Sequence, residues 1–348
     1  QFDRSCVVYG AGNFGRFVGD MLERAGVKIS YFIDAQIKSD FPWPVYQFDC
    51  LDELNKDVDL VMGIFNTDVE ISSLMSNLRK AGYQQQLTPV QFFQRISHLN
   101  PQRQYWLSTP SDYLQCRDEI LSCVDLFSDE ESKKIYIETW EYRLIGNIQC
   151  LSPHLPYNDQ YFPSDILTWK SPLRFIDCGA YTGDTLLSIE KRQIPLDAAE
   201  AFEPDSDNFS KLARLCASCS SLRSSILFPC AVHSKTCLLN FCGGVGAASN
   251  ISNQGNNTII QAVCLDDCLP GFEPNLIKMD IEGAEIDALI GAEKTIKNYR
   301  PRLAICLYHT PHHIWQIPKL LHKWDLGYRF FIRVYGNQTF DTVLYALP

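Results

Sequence analysis

The chain has 348 residues, of which 46% are hydrophobic and 21% are charged, so it can bury a substantial core and is not a disordered chain. Lys and Arg total 31 against 41 Asp and Glu, a formal net charge of −10, which makes nucleic acid and anionic membrane surfaces poor candidate partners. At about 150 residues per domain, the length predicts two domains with room for a connecting segment.

The first part of the chain, residues 1–88, alternates apolar runs with amphipathic stretches. Residues 6–9, 29–33 and 60–65 have the apolar character of buried strands, and the apolar positions of residues 13–25 recur at helical spacing. This is the pattern of one half of a doubly wound sheet, in a segment too short for both halves. We therefore predict a small half-Rossmann domain of the nucleotide-binding type.

Residues 10–15 read GAGNFG, a GxGxxG pattern between the first predicted strand and the first predicted helix. Glycines at such a turn let the backbone approach a phosphate, and Asp34 at the end of the next strand is suited to a ribose diol. A turn that binds nothing, or binds only a partner, is the alternative. The candidate second nucleotide site comprises Gly10, Gly12, Asn13, Phe14, Gly15 and Asp34.

Residues 89–172 are rich in polar and aromatic residues and show no strand pattern, so we predict a helical connector. Residues 128–131 read SDEE, which predicts a capping box at a helix start. Residues 160–163 read QYFP, and its aromatic side chains are candidates to fold over a neighbouring site. An aromatic stripe more often packs in a core.

Residues 173–348 return to alternating strands and helices, and we expect an α/β domain there. Five apolar runs, at residues 174–177, 199–203, 225–228, 276–280 and 303–307, have the character of parallel strands. The segment ends with strand patterns at 328–335 and 340–346 around Gly336 and Asn337, which predict an antiparallel hairpin.

A second glycine motif, at residues 177–185, reads DCGAYTGDT and also lies between a predicted strand and a predicted helix. Here Asp177 precedes the first glycine, whereas a diphosphate prefers bare backbone N–H groups without a carboxylate beside them. Asp177 suits a cationic amino-acid end, and Glu203 at the end of the next strand can accept both hydroxyls of a ribose. These features favour S-adenosylmethionine; the alternative is a helix cap with glycines placed by chance.

Residues 276–285 read LIKMDIEGAE and place Lys278, Asp280 and Glu282 at the carboxyl end of a central strand. Ligands of open α/β sheets bind at that edge. Because an unpaired buried charge costs several kcal/mol, charged residues within an apolar strand are expected to serve a site. The alternative is an ion pair between Lys278 and a carboxylate that only fixes the turn.

Four segments in the second half of the chain carry a resemblance to a known family. They are residues 175–185 (FIDCGAYTGDT), 201–205 (AFEPD), 263–267 (VCLDD) and 277–285 (IKMDIEGAE). In this order they resemble the FkbM-type methyltransferases, and residues 160–163 resemble longer members with an N-terminal glycine-rich domain. The resemblance implies a class I fold, with a seven-stranded doubly wound sheet and terminal antiparallel hairpin, S-adenosylmethionine as methyl donor, and O-methylation of a hydroxyl, often on a sugar.

Carried over residue by residue, the resemblance implies that the glycine loop lines the methionine end, Glu203 holds the ribose, and Ala231 and Val232 lie against the adenine. Many members carry a Glu on the strand after the Lys-Asp-Glu element, where residues 305–307 read ICL here, which removes support for a carboxylate base at that place. The full cofactor-binding set is Asp177, Gly179, Ala180, Tyr181, Thr182, Gly183, Thr185, Glu203, Pro204, Ala231, Val232 and Asp280.

The candidate catalytic residues are Lys278, Asp280, Glu282 and His309, and the resemblance implies that Asp280 and Glu282 face the transferred methyl group. An acceptor hydroxyl has to lose a proton, and His309 and Asp280 are the two candidate bases. A solvated or capping role for His309 is the alternative. We expect no metal, although His309, His312 and His313 with Asp280 offer a less favoured divalent-metal set.

The leading hypothesis is an O-methyltransferase for a small-molecule or carbohydrate acceptor. An NAD-type oxidoreductase acting through the N-terminal domain is disfavoured, because that domain lacks the second half that would hold nicotinamide. A non-catalytic protein that binds a nucleotide sugar is the third hypothesis. The intact set of Asp177, Gly179, Gly183 and Glu203 argues against loss of activity.

The 14 cysteines lie scattered within apolar runs, which is typical of small core residues in a reducing compartment. No apolar run approaches the ~18 residues of a membrane span, and the first predicted strand begins so early that we expect no signal peptide. A cytoplasmic location with neither a membrane nor a nucleic-acid partner is predicted. Formation of a homo-oligomer is left open.

Overall fold

The computed structural model describes residues 2, 4–36, 41–166, 172–222, 224–242, 250–251 and 258–348. Its contacts divide the chain into two compact units. The first comprises Gln1–Leu121, Lys133–Leu155 and Val334–Asp341, and the second comprises Ser122–Ser132, Pro156–Arg333 and Thr342–Pro348. The division predicted at residues 88 and 172 gives each domain one continuous stretch of chain, whereas each of these units is assembled from separate stretches.

The first unit is built on a five-stranded sheet in which neighbouring strands pair in parallel. Val8 and Val61 contribute to a buried cluster on one face, and Val7 and Leu60 contribute to another cluster on the opposite face. The strands are β1 (Cys6–Tyr9), β2 (Ile29–Ile33), β3 (Val45–Tyr46), β4 (Asp59–Met62) and β5 (Gln85–Leu87), in the order β3-β2-β1-β4-β5. The predicted half of a doubly wound sheet is confirmed.

The helices of the first half of the chain follow the predicted pattern. Helix α1 buries Val18, Met21 and Leu22, which lie on the apolar face that the sequence predicts. The helices are α1 (Asn13–Arg24), α2 (Ile71–Lys80), α3 (Pro89–Ile96), α4 (Pro110–Gln115), α5 (Arg117–Ser122) and α6 (Glu130–Ile145).

The start of α6 differs from the predicted capping box in one residue. The Asp129 carboxylate, not the Ser128 hydroxyl, accepts the hydrogen bond from the Ser132 N–H, at 2.8 Å. An aspartate is at least as good a cap as a serine, because an ionised carboxylate also interacts favourably with the positive end of the helix. Sequence alone does not choose between two adjacent caps.

The second unit is built on a seven-stranded sheet with strand order β15-β16-β14-β13-β6-β7-β8. Strands β14, β13, β6, β7 and β8 pair in parallel, as the sequence predicts, and β16 lies between β15 and β14 and pairs antiparallel to β14. The strands are β6 (Leu173–Cys178), β7 (Leu196–Phe202), β8 (Ser225–Phe228), β13 (Leu276–Met279), β14 (Arg302–Cys306), β15 (Arg329–Val334) and β16 (Thr342–Leu347).

A smaller four-stranded sheet of the second unit has no counterpart in the predictions. It comprises β9 (Ala231–Val232), β10 (Cys237–Cys242), β11 (Asn250–Ile251) and β12 (Thr258–Val263). The helices of the unit are α7 (Asp184–Lys191), α8 (Ser206–Ser218), α9 (Leu265–Cys268), α10 (Glu285–Ile290), α11 (Glu293–Tyr299) and α12 (His313–Lys323). Within the described ranges, no helix combines the length and the apolar character that crossing a bilayer requires.

Candidate active site

The carboxyl ends of four neighbouring strands meet at one edge of the seven-stranded sheet. Asp177 lies near the end of β6, Glu203 follows β7, Asp280 follows β13, and His309 lies shortly after β14. Because β14, β13, β6 and β7 are adjacent and parallel, these side chains come to the same edge of the sheet. This is the ligand edge that the sequence predicts.

Lys278 and Asp177 form a buried ion pair at the base of this edge. They are register partners on β13 and β6, and Lys278 Nζ lies 2.9 Å from Asp177 Oδ1. The ammonium also donates to the carbonyl oxygen of Gly179 at 2.6 Å. Burial disfavours the charged lysine, but the carboxylates of Asp177, Asp280 and Asp184 together outweigh it and raise the pKa of Lys278, so the side chain stays protonated. Lys278 thus ties the glycine loop to the sheet.

The loop after β6 uses its glycines for backbone conformations and for a close approach. Gly179 has φ +80°, and a Cβ placed there would lie 1.9 Å from the carbonyl oxygen of Asp280. Gly183, at φ +93°, precedes the first residue of α7. Asp177 Oδ2 and Thr185 Oγ1 are buried without a hydrogen-bond partner. Buried polar atoms of this kind are normally satisfied, so both are available to a ligand.

Glu203 is held beside the loop by two backbone N–H groups. Its Oε2 accepts from Tyr181 and its Oε1 accepts from Asp205, each at 2.8 Å. Burial raises the pKa of Glu203 to about 7, and these two hydrogen bonds offset only part of that effect. Each carboxylate oxygen keeps a second lone pair, which a ribose hydroxyl can use.

The remaining members of the predicted cofactor set lie around this edge or beyond it. The Ala180 N–H donates to the carbonyl oxygen of Phe202 at 2.9 Å, so this residue joins the loop to β7. Thr182 lies in the loop, and Pro204 directly follows Glu203. Ala231 and Val232 form β9, which pairs with β12 rather than with the large sheet, and their role beside adenine stays a prediction.

Asp280 lies at the centre of a group of polar side chains. The Tyr161 hydroxyl donates to its Oδ2 at 2.7 Å, and the Tyr308 hydroxyl donates to its Oδ1 at 3.2 Å. Burial alone raises the pKa of this carboxyl, but the contact with His309 outweighs it and holds the pKa below its ordinary value. The Asp280 side chain is 23% exposed, so an ionised carboxylate remains accessible to a ligand.

His309 is buried among three carboxylates, with only 1% of its side chain exposed. Its Nδ1 lies 2.7 Å from Glu285 Oε1, and its Nε2 lies 3.2 Å from Asp280 Oδ1 and 3.7 Å from Glu282 Oε2. Burial lowers the pKa of an imidazole, but the carboxylates of Glu285 and Glu282 outweigh it and raise the pKa of His309. The solvated role considered for His309 is therefore wrong.

Three residues of this edge have backbone conformations that side chains rarely adopt. Tyr161, Tyr181 and Glu282 have φ angles of +66°, +48° and +55°. Positive φ at residues other than glycine costs about 1–3 kcal/mol and concentrates at functional sites. In Glu282 this conformation accompanies the approach of its carboxylate to His309.

The N-terminal glycine turn repeats some of these features within the first unit. A Cβ on Gly15 would lie 1.9 Å from the carbonyl oxygen of Gly10, whereas a Cβ on Gly12 would meet nothing within 4 Å. Asp34 Oδ2 accepts from the Ala11 N–H at 2.6 Å. Asn13 is the first residue of α1, and the Phe14 ring packs 5.2 Å from that of Phe65. Nucleotide binding by this turn stays a prediction.

Two residues of the site were not among the candidates from the sequence. Glu285 ends the LIKMDIEGAE segment, but its contact with His309 joins residues separated by 24 positions. Tyr308 directly precedes His309 in the chain and has no sequence feature that marks it as a site residue. Tyr161, which the sequence left between packing and a site, contacts Asp280 across 119 positions. An aromatic side chain carries no local signal of so distant a partner.

Comparison with known proteins identifies the same region of the chain. Residues 177–330 match the family model described as the Methyltransferase FkbM domain. The chain carries an FkbM-type methyltransferase domain. The family expected from the sequence is thereby confirmed, and the FkbM domain lies within the second unit.

A solved structure supports the fold of the whole chain. The methyltransferase FkbM from Methylobacillus flagellatus KT is similar at a TM-score of 0.82 and 21% identity, with 99% of this chain and 90% of that chain covered. An rRNA methylase from Streptococcus thermophilus has a TM-score of 0.32 at 13% identity, over 53% of this chain and 91% of that one. A precorrin-6y C5,15-methyltransferase from Geobacter metallireducens GS-15 has a TM-score of 0.29 at 12% identity, over 51% and 79%. No curated protein matches the chain.

Proposed function

We propose that this FkbM-type methyltransferase uses S-adenosylmethionine to methylate a hydroxyl of a small-molecule or carbohydrate acceptor. The observation that carries the proposal is the pair of acids Asp177 and Glu203, at the ends of adjacent parallel strands, with a glycine loop between them. This arrangement suits a ligand with a cationic amino-acid end and a ribose.

The residues of the loop fit that cofactor. Asp177 Oδ2 is a buried acceptor without a partner, which suits an ammonium group, and Thr185 Oγ1 is a buried hydroxyl that can donate to a carboxylate. Glu203 would accept from the ribose hydroxyls. When bound, S-adenosylmethionine supplies a methyl group activated by a positively charged sulfur.

Asp280, Glu282 and His309 would bind and orient the acceptor. Alignment of a reacting group contributes several kcal/mol to catalysis, and a base that removes the hydroxyl proton adds about 10² to 10⁴ in rate. Asp280 is the better placed of the two candidates for that proton transfer, because its carboxylate is ionised and 23% exposed, whereas the raised pKa of His309 keeps its imidazole protonated. Lys278 would act through Asp177 and Gly179 as a positioning residue.

The first test is calorimetric titration of S-adenosylmethionine, and separately of NADH, into the full chain. We expect S-adenosylmethionine to bind and Glu203→Ala to abolish its binding, because the ribose loses its acceptor. Glu190→Ala, on the exposed face of α7, is the matched control and should bind as the wild type does. Binding of NADH alone would overturn the proposal and favour the glycine turn around Gly12 instead.

The acceptor is tested with S-adenosylmethionine that carries a labelled methyl group. We expect label to appear in an ether of a sugar or a sugar-containing small molecule when a panel of acceptors is offered. Label that appears only on amines or thiols would contradict O-methylation while leaving the methyltransferase assignment intact.

A further inference from the structure

The group formed by Asp280, Glu282, Glu285 and His309, here called the His309 cluster, has the composition of a metal site. One ligand atom from each of Asp280, Glu285 and His309 lies within 4.8 Å of the other two. Two carboxylates and an imidazole are ligands that divalent first-row ions accept. The cluster borders the strand ends where the acceptor would bind.

The orientation of His309 leaves one ring nitrogen, Nε2, to coordinate a metal ion. Nδ1 faces Glu285 Oε1 at 2.7 Å. Nε2 is buried and makes no hydrogen bond of good geometry, although Asp280 Oδ1 and Glu282 Oε2 lie 3.2 Å and 3.7 Å away. Ligand atoms that bind one octahedral ion at about 2.1 Å are about 3 Å apart. Asp280 Oδ1 is at about that distance from Nε2, and Glu282 Oε2 would have to move closer to complete a coordination shell.

The contacts of Glu285 are those of a residue that orients His309, not those of a residue that coordinates the metal ion itself. Its Oε1 accepts from the Ile281 N–H at 3.0 Å and from the Gly283 N–H at 3.4 Å, in addition to its contact with His309. Its Oε2 lies 3.1 Å from His313 Nδ1. Histidines that bind metals usually have their second nitrogen held by such a carboxylate.

The charges of the cluster also favour a cation. Three carboxylates surround one imidazole and outweigh its charge even when the ring is protonated, and Lys278, the nearby ammonium, is engaged with Asp177 and Gly179. Glu285 is compensated by its own contacts, so the excess negative charge falls on Asp280 and Glu282, and a cation bound at Nε2 would displace the ring proton. Asp280 and Glu282, at 23% and 22% exposure, leave an ion a route of entry.

We propose that Asp280, Glu282 and His309 bind one divalent cation of the Mn²⁺ type, with Glu285 as the positioning residue for His309. This differs from the expectation of a metal-free site drawn from the sequence, where His312 and His313 were weighed as ligands. A bound cation would polarise the acceptor oxygen and lower the pKa of its hydroxyl. That use of the ion rests on the proposed function, whereas binding of the ion does not.

The experiment is a titration of the full chain with Mn²⁺, followed by electron paramagnetic resonance. We expect one Mn²⁺ per chain in the wild type. Glu282→Gln should weaken binding at least about tenfold, and Glu285→Gln about 10- to 100-fold, as is typical when a histidine loses its orienting partner. His322→Gln, an exposed histidine on α12, is the control and should bind as the wild type does. Glu282 is partly exposed, so its variant keeps the test valid if Glu285→Gln does not fold.

A second readout tests whether the imidazole that coordinates Mn²⁺ is that of His309. The spin-echo spectrum of bound Mn²⁺ should show coupling to a ring nitrogen in the wild type and in His322→Gln, and lose it in His309→Gln. Absence of a one-to-one Mn²⁺ site, equal affinity in Glu282→Gln and the control, or nitrogen coupling that persists in His309→Gln would each overturn the proposal. Titration of S-adenosylmethionine in the presence of EDTA tests the proposed function separately, because the donor loop and Glu203 lie outside the cluster, which shares only Asp280 with the predicted donor set.

Discussion

Glu203 is a buried carboxylate whose proton competes with a ligand. Its pKa is raised by burial from 4.5 to about 7, and only the ionised form can accept from both ribose hydroxyls. The affinity for S-adenosylmethionine should therefore rise about tenfold between pH 6 and pH 8. Calorimetric titration at several pH values measures this, and Glu203→Gln should show weaker binding without that rise.

Ionisation of Glu203 favours donor binding but lowers the stability of the ligand-free protein. Because the folded state raises the pKa of Glu203, its contribution to stability is fully present below pH 4.5 and is lost as the pH rises through about 7. The resulting slope of the free energy of unfolding should be smaller in Glu203→Gln. Equal pH dependence of donor binding in the wild type and the variant would contradict the assignment of Glu203 to the ribose.

Removing one partner of the ion pair between Lys278 and Asp177 should lower the free energy of unfolding more than removing both. Lys278→Met leaves a carboxylate buried without its cation, which costs about 3–5 kcal/mol. Urea unfolding should show that loss, and the double variant Lys278→Met/Asp177→Asn should recover most of it because no buried charge then lacks a partner. A double variant as unstable as Lys278→Met would show that packing of the lysine stem, not its charge, dominates.

The candidate donor-binding residues could be named from the sequence, whereas their hydrogen-bond partners could not. Asp177, Gly179 and Glu203 lie at or just after the ends of apolar strands, which is a local signal. The contacts of His309 with Asp280, Glu282 and Glu285 depend on how two strand ends meet. For that reason the burial of His309, and the direction in which its pKa shifts, emerged only in the fold.

At the scale of elements, the turn between β6 and α7 depends on the close approach of two loops. Gly179→Ala should lose donor binding, because its Cβ would lie 1.9 Å from the carbonyl oxygen of Asp280. Positive φ in an alanine costs about 1–2 kcal/mol, and the added crowding about 1–3 kcal/mol more.

Gly271→Ala is the matched control for that change. Gly271 has the same φ of +80°, but a Cβ there would meet nothing within 4 Å, so only the conformational cost applies. Thermal unfolding and donor titration of both variants separate the two contributions. Equal losses in the two variants would contradict a role for the close approach.

The periodicity of the sequence predicted the elements that have strong local patterns. Strands β1, β2, β6, β7, β13 and β14 and helix α1 fall where the apolar runs indicated. Strands β10 and β12 were not predicted, because Asn240 and Gln261 interrupt their apolar runs on the face where Leu238 and Ile259 are exposed. An edge sheet with one open face has a weaker apolar signature than a buried parallel strand.

At the scale of the whole molecule, distant segments of the second unit converge on Arg333. Its guanidinium lies 2.8 Å from Asp129 Oδ2 and 2.7 Å from Asp165 Oδ2, and it also donates to the Ser132 hydroxyl. Arg333→Met should lower the free energy of unfolding by about 2–3 kcal/mol, a value reduced from that of a fully buried pair because both aspartates are partly exposed.

Thermal unfolding of the full chain, with and without S-adenosylmethionine, measures the effect of Arg333→Met. Arg214→Met on the exposed side of α8 is the control and should change stability by less than about 0.5 kcal/mol. If the two variants behave alike, the segments around Asp129 and Asp165 are held by other contacts.

The sequence by itself determined the fold class, the family of the second half and the edge of the sheet that carries the site. These properties depend on periodicity and on residue order within single strands, which are local. Only the tertiary structure decided that each unit is assembled from separate stretches of the chain. It also decided that the Tyr161 hydroxyl contacts Asp280 and that His309 lies among three carboxylates. Such contacts join segments far apart in the chain, and their geometry is set by the packing of the whole sheet rather than by any one segment.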